Sequence, residues 1–168
     1  QPIDASVLAV ARAGAGTNNI PIPEYSKRGI PVFNTPGANA NAVKELVVAG
    51  LFLAARNIVD AAAFAHRLEG DHATIDKLVE AGKKNYVGFE LPGRTLGVIG
   101  LGAIGVEVAN VALSLGMNVL GYDPGITVQH AWALSSQVQH VTDLNDLLGR
   151  SDIVTLHVPL VAGTKGLI

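Results

Sequence analysis

Three glycines in the run Gly100-Leu101-Gly102-Ala103-Ile104-Gly105, with a carboxylate 23 residues after the first of them at Asp123, are the residues whose types and spacing could do chemistry. Gly100 permits a tight turn. Gly102 removes the side chain that would keep a pyrophosphate off the main chain, and Gly105 lets a following helix lie close on the preceding strand. The amides of Gly102, Ala103 and Ile104 would then open a helix and point at phosphate oxygens, helped by the positive end of the helix dipole. A carboxylate at Asp123 can accept hydrogen bonds from ribose 2′- and 3′-hydroxyls and would repel a 2′-phosphate. No Arg or Lys lies from Pro124 through Val141 to neutralise such a phosphate. The expected ligand is NAD rather than NADP. A structural glycine turn with an unrelated surface aspartate is the plain alternative.

This chemistry requires a strand before the glycines and a helix after them. Residues 95–99 read as a strand, 104–115 as a helix closed by Gly116, and 118–122 as a second strand ending in Asp123-Pro124. A short helix over 128–134 and a strand over 139–141 follow. Thr142 is the expected cap of a helix over 143–148 that ends at Gly149, and 153–157 reads as a strand stopped by Pro159. Strand and helix alternating in this way predict an α/β fold with a parallel sheet and right-handed crossovers. His157-Val158-Pro159 lies at the carboxyl end of the last strand, where such sheets bind ligands; it either borders the adenosine half of the cofactor or is an ordinary strand end with a proline stop.

Upstream, 6–11 and 30–33 read as short buried strands, 14–19 as a loop, and Asn34-Thr35-Pro36-Gly37 as a turn. A long helix is expected next, with Asn41 as its N-cap and Glu45 in its first turn. Val43, Leu46, Val47, Gly50, Leu51, Ala54 and Ile58 keep the spacing of one apolar face, and the pattern runs on through 61–64. Residues 70–90 read as a polar connector with a helix at 74–81.

The 168 residues are 49% hydrophobic and 15% charged, which suits one domain, or one plus part of another, with an ordinary core. A net charge of -2 and no basic stripe argue against a nucleic-acid surface. The absence of cysteine excludes disulfides and thiolate zinc sites and fits a reducing cytoplasm. The longest apolar run, 46–55, is shorter than the about 20 residues a bilayer requires, and no signal-peptide pattern opens the chain. Both ends fall in mid-pattern, so the chain reads as a fragment. His66, His72, His130 and His140 lack metal-ligand spacing and read as solvated side chains, and Trp132 reads as packing. Arg12 could attract an anionic substrate or hold its own loop. No Ser-His-Asp set follows from the residue order.

Taken together, several segments resemble the D-isomer-specific 2-hydroxyacid dehydrogenases and, within them, the D-3-phosphoglycerate dehydrogenases. They are Arg12-Ala13-Gly14-Ala15-Gly16 with Asn18-Asn19-Ile20, the run from Gly29 to Gly37, Glu45-Leu46, the run from Thr95 to Gly102 with Ile104-Gly105, Leu115-Gly116-Met117, Gly121-Tyr122-Asp123-Pro124, Ser151-Asp152, and Leu156-His157-Val158-Pro159-Leu160. The resemblance implies two α/β lobes with a cleft between them. A flavodoxin-like substrate lobe would be incomplete over 1–40. The crossover helix and a Rossmann-like, doubly wound nucleotide lobe would occupy 41–168. It also implies that the backbone of Gly14 and Gly16 faces the substrate carboxylate and that Asn39 lines the cleft. Ala103 and Ile104 would contact the pyrophosphate, Asp123 the ribose, and Val158-Pro159 the adenosine. Gly100, Gly102, Gly105, Tyr122 and His157 complete the expected cofactor set.

The family's catalytic arginine, glutamate and histidine would follow Ile168, so no catalytic residue is assigned. His157 matches the strand-end histidine beside the cofactor, not the proton-transfer residue. Two positions depart from the family pattern: Ala103 stands where Arg or His is frequent, and Ala42 where Ser often precedes the crossover helix. The implied activity is NAD-dependent oxidation of a D-2-hydroxy acid, 3-phospho-D-glycerate to 3-phosphohydroxypyruvate in serine synthesis, by a cytoplasmic homodimer. Two alternatives remain: an NAD-sensing, corepressor-type module on the same fold, and a dehydrogenase for another 2-oxo acid such as glyoxylate or pyruvate.

Overall fold

The computed structural model describes residues 4–168 and contains two parallel sheets. The smaller pairs β1 (Val10–Arg12) with β2 (Val32–Asn34) in register from Val10 opposite Val32 to Arg12 opposite Asn34, with α1 (Ile22–Lys27) between them in sequence. Three helices follow: α2 (Ala40–Ala55), α3 (Ile58–Ala65) and α4 (His72–Gly82), the last running into a single tight turn over Lys83–Tyr86. The larger sheet holds β3 (Thr95–Ile99), β4 (Asn118–Tyr122), β5 (Gln139–His140) and β6 (Ile153–Leu156), connected by α5 (Ala103–Ser114), α6 (Val128–Ala133) and α7 (Leu144–Arg150).

Its strand order is β5-β4-β3-β6, all parallel. From β3 the chain winds outward through β4 and β5, then returns to the other side of β3. The order therefore reverses between β3 and β6, and in such sheets the crevice beyond the carboxyl ends of the strands at that reversal binds ligands. β3 is central and covered on both faces, which explains its unbroken apolar sequence: Leu96, Val98 and Ile99 are all buried. α5 covers one face with Val106, Val108, Ala109 and Ala112. It stops at Gly116, whose φ of 78° is a left-handed value, while the N–H groups of Gly116 and Met117 bond back to the carbonyls of Leu113 and Ala112.

The crossover helix differs from its sequence reading in three ways. It starts at Ala40 behind Asn39, not Asn41. Asn41 lies inside the first turn, where it bridges Glu45 (2.8 Å) and Lys44 (2.5 Å). The helix also breaks at Asn57, whose φ of 50° is left-handed, and α3 continues bent by 63°. Asn tolerates that conformation better than most residues. Its side chain donates to the Val87 carbonyl (3.1 Å), and the Phe89 N–H bonds the Ala55 carbonyl (2.8 Å) that the broken helix leaves free. Finally, the expected single apolar face is split. Ala40, Leu51 and Ala55 are buried, whereas Leu46 is 73% exposed and Ile58 44%.

Other boundaries move for local reasons. β1 begins at Val10 rather than residue 6, because Asp4 draws the Ser6 N–H and hydroxyl into a turn (2.8 and 2.6 Å). α1 has no counterpart in the sequence reading. α4 starts at His72, before residue 74, because Asp71 accepts from the Thr74 N–H (2.9 Å). α7 is capped by Asp143 rather than Thr142 and passes through Gly149 to Arg150, which pairs with Asp146 at 2.8 Å. Trp132 is 85% exposed, so it is not a packing residue within this chain. Among the described residues no single helix is long and apolar enough to cross a membrane; α2 and α3 pass that test only as a bent pair.

Candidate functional site

The glycine run forms the bend between β3 and α5, and Asp123 leaves the end of β4 beside it. The Gly100 N–H bonds the Tyr122 carbonyl (2.9 Å), and the Leu101 N–H bonds Asp123 Oδ2 (2.8 Å). The other carboxylate oxygen, Oδ1, accepts the Gly125 N–H (2.8 Å). Each oxygen thus keeps acceptor capacity for a further donor, and the carboxylate is fixed at the mouth of the bend.

Each glycine has its own steric reason. Gly100 sits at φ 90°, and a side chain there would strike the Val158 methyl (2.7 Å) and the His157 carbonyl (2.8 Å). Gly105 faces the Gly100 carbonyl so closely that a methyl group would collide with it. At Gly102 nothing lies within 4 Å of where a Cβ would stand, so that open space is available to a ligand. The first helical hydrogen bond of α5 runs from the Val106 N–H to the Gly102 carbonyl (3.0 Å), leaving the N–H groups of Gly102, Ala103, Ile104 and Gly105 without an acceptor among the described residues. The unengaged donors of Gly102, Ala103 and Ile104, which line a cavity, the open space at Gly102 and a carboxylate one strand away fit the two phosphates and the ribose of a dinucleotide.

Two cavities meet at this bend. One, of about 410 Å³, is lined by Gly100, Gly102, Tyr122, Asp123, His157, Val158 and Pro159 and closed by Gly163, Thr164 and Leu167. The second, of about 860 Å³, runs from Gly102, Ala103 and Ile104 toward the small sheet, reaching Ala15, Pro36, Gly37 and Asn39, and along α5 to Glu107, Gln129 and His130. The structure therefore gathers nine of the ten expected cofactor residues around one opening. The tenth, Gly105, lies buried beneath it.

His157 is half-buried, and its Nε2 lies 3.0 Å from the Thr155 hydroxyl. Burial pushes its pKa below the usual 6.5, so the ring is neutral near pH 7. The start of the same strand is tied down by Asp152, which accepts the Thr95 N–H (2.8 Å) and pairs with Arg94 (3.3 Å). Thr95 N–H donation and the Arg94 charge hold the Asp152 carboxyl below its ordinary range.

The residues expected on the substrate side are placed less uniformly. Asn39 occupies the N-cap position of α2 but makes no capping hydrogen bond, so its amide remains available to the larger cavity that it lines. The Gly14 N–H is already engaged by the Thr35 hydroxyl (2.7 Å), and in this loop it is Ala15, not Gly14 or Gly16, that lines the cavity. Arg12 bonds Asn19 (2.6 Å) and so holds its loop. The larger cavity is also lined from α6 by Gln129, which the sequence reading does not single out, and by His130, which it takes for a solvated side chain; that reading likewise does not anticipate the closing segment around Thr164. The latter had a readable signal in the turn-forming Gly163-Thr164 pair after Pro159; its hydroxyl accepts the Val161 N–H (3.0 Å).

The chain is 42% identical over 159 residues to the D-3-phosphoglycerate dehydrogenase of Methanocaldococcus jannaschii, covering 95% of this chain and 28% of that protein. It is 40% identical to the hydroxypyruvate reductase of Thermotoga maritima, covering 95% of this chain and 46% of that protein. Among solved structures it is similar to cofactor (NAD+) bound 3-phosphoglycerate dehydrogenase of Entamoeba histolytica, with a TM-score of 0.64 and 31% identity, covering 95% of this chain and 42% of that one. The chain thus spans less than half the length of each. The family model described as "D-isomer specific 2-hydroxyacid dehydrogenase, NAD binding domain" matches residues 49–168. With the glycine bend, its free amides and the Asp123 carboxylate inside that span, the chain belongs to the D-isomer specific 2-hydroxyacid dehydrogenases and carries their NAD-binding domain.

Proposed function

We propose that this chain is the cofactor-binding part of an NAD-dependent D-2-hydroxy acid dehydrogenase whose whole protein oxidises 3-phospho-D-glycerate to 3-phosphohydroxypyruvate. The observation that carries the reading is the Leu101 N–H to Asp123 Oδ2 bond of 2.8 Å, which sets an anionic acceptor beside four unengaged amides. Gly102, Ala103 and Ile104 hold the pyrophosphate through the main chain and helix dipole, with Gly105 packed beneath them. Asp123 takes the ribose hydroxyls and excludes a 2′-phosphate by repulsion. Tyr122, His157, Val158 and Pro159, with Gly100 at the turn, form the walls on the adenosine side. NAD, when bound, supplies the acceptor for the substrate's hydride.

Residues 1–40 serve as part of the substrate lobe, with Asn39 and the loop of Gly14, Ala15 and Gly16 toward the hydroxy acid, Ala15 being the loop residue that lines the cavity, and 41–168 form the crossover helix and nucleotide lobe. No proton-transfer residue is assigned within this chain; His157, whose pKa is lowered by burial and whose ring lies 3.0 Å from the Thr155 hydroxyl, serves as a wall of the cofactor cavity. The exposed apolar side chains of α2 and α3, Leu46, Leu53 and Val59 among them, support a homodimer, and the absence of cysteine fits a cytoplasmic setting.

A second substrate has a specific observation in its favour, the 40% identity to a hydroxypyruvate reductase. Steady-state oxidation by the whole protein of 3-phospho-D-glycerate, D-glycerate and D-lactate, with NAD as acceptor, tests the assignment. The proposal expects the highest kcat/KM for the phosphorylated acid. A preference for an unphosphorylated acid would transfer the assignment to that substrate.

A further inference from the structure

The last ladder bond of β6 runs from the His157 N–H to the Ile99 carbonyl (2.8 Å). Beyond it Val158 and Pro159 leave the sheet, yet both wall the cavity of about 410 Å³ beside Asp123. Val158 is held by packing on the buried cluster of Ile99, Leu120, Val141 and Leu147, and Leu167 packs on the same cluster. Residues 159–166 therefore form a strap that departs from the sheet at the cavity and is pinned again at Leu167. Gly163, Thr164 and Leu167 close the cavity from that side.

Apolar packing does not hold the middle of the strap, since Leu160 is 85% exposed and Val161 52%. Hydrogen bonds hold it instead. The N–H groups of Thr164 and Lys165 both reach the Val161 carbonyl (3.0 Å each), which closes a turn over 161–165. The Thr164 hydroxyl accepts the Val161 N–H (3.0 Å) and donates to the Pro159 carbonyl, with the Val161 carbonyl 3.3 Å away as a weaker acceptor. Among the described residues no other hydrogen bond joins the turn to Pro159, which as a proline has no N–H to offer. One hydroxyl thus ties the closing turn to the residue that walls the cavity at the strand end.

Resting on the nucleotide reading above, we infer that Thr164 is a positioning residue for the cofactor: its hydroxyl latches the turn over 161–165 to Pro159 and so sets, before binding, the wall against which the adenosine half lies. The residue acts through Pro159 and the turn backbone, not through a bond to the nucleotide. Without the latch, water can satisfy the Pro159 carbonyl and the Val161 N–H, because the turn is exposed, and the fold loses little. What is lost is preorganisation, since ordering of the turn must then accompany binding. Thr164→Val keeps the branched shape and deletes both bonds. Thr164→Ser keeps the hydroxyl and deletes only the methyl group.

The test is calorimetric titration of the chain with NAD and with ADP-ribose, beside urea unfolding, for the wild type, Thr164→Val and Thr164→Ser. ADP-ribose shares the adenosine half and both phosphates of NAD but has no nicotinamide. Thr164→Val is expected to bind both ligands roughly tenfold more weakly, the cost of ordering about one residue's backbone during binding. Its urea midpoint should stay close to that of the wild type. Thr164→Ser should bind both ligands within about twofold of the wild type. Unchanged affinity in Thr164→Val, a loss for NAD that ADP-ribose does not share, a Thr164→Ser as weak as Thr164→Val, or a Thr164→Val that loses stability in step with affinity would overturn the inference while leaving NAD binding by the wild type intact. Failure of the wild type to bind NAD would overturn the nucleotide reading and this inference with it.

Discussion

The Leu101 amide donates to Asp123 Oδ2 at 2.8 Å, tying the carboxylate at the end of β4 to the glycine bend at the end of β3. One residue thus stabilises the bend and presents an anionic acceptor at its rim. Asp123→Ala removes both roles. A hydrogen bond to a charged group is worth about 1.5–3 kcal/mol, so NAD should bind roughly 10- to 100-fold more weakly, and the gap between NAD and NADP should narrow. Titration of the variant with both nucleotides checks this.

Gly102 and Gly105 make opposite predictions. A side chain at Gly102 meets nothing within 4 Å, so Gly102→Val should unfold at nearly the wild-type denaturant concentration while losing NAD affinity by more than about tenfold. Gly105→Ala drives a methyl into the Gly100 carbonyl and should lower stability itself, by about 1–3 kcal/mol of overpacking. Urea unfolding beside NAD titration separates the two effects. Equal stability loss in both variants would contradict the open space above Gly102.

His157 links stability to pH. Its folded-state pKa lies below the unfolded value of 6.5 because burial disfavours the charged ring. Between those two values the unfolded chain binds more protons, so stability rises with pH in that window. Its contribution is fully present above 6.5 and is lost as pH falls through the unfolded value toward the folded one. Urea midpoints across that range should decline toward acid in the wild type, and the decline should be shallower in His157→Gln.

Asp152 acts in more acid solution. Its carboxyl is held below the ordinary aspartate range by the Thr95 N–H and by Arg94, so its contribution is present above the unfolded value of 3.8 and disappears as pH falls through the folded one. Asp152→Asn should lower the urea midpoint at neutral pH and converge on the wild type in strong acid.

The larger sheet was legible in the sequence because its signals are local. The run from Thr95 to Ile99 is apolar throughout since both faces are covered, and Gly100, Gly102 and Gly105 recur because the backbone must turn, open and pack at those points. Gly116 was legible for the same reason. The break at Asn57 was not. Ala54, Arg56 and Ile58 are all compatible with a continuous helix, and what stops it is tertiary: Phe89 and Val87 take the groups that the break exposes. Asn39 and Asn41 are equally good caps on paper, and only the turn over residues 35–38 decides which begins α2. The resemblance implies a Gly14 backbone facing the substrate carboxylate, but the hydroxyl of Thr35, 21 residues away, already accepts its N–H. His130 reads as a solvated side chain in sequence, but α6 packs on α5 and leaves it partly buried on the larger cavity, which spacing along the chain does not reveal.

Calorimetric titration of the wild-type chain with NAD and with NADP bears most directly on the claim that bare main chain at the start of α5 holds two phosphates while Asp123 selects the ribose. The account predicts saturable one-site binding of NAD, with NADP weaker by at least about tenfold. Equal affinity for the two nucleotides, or heat from neither, would contradict it.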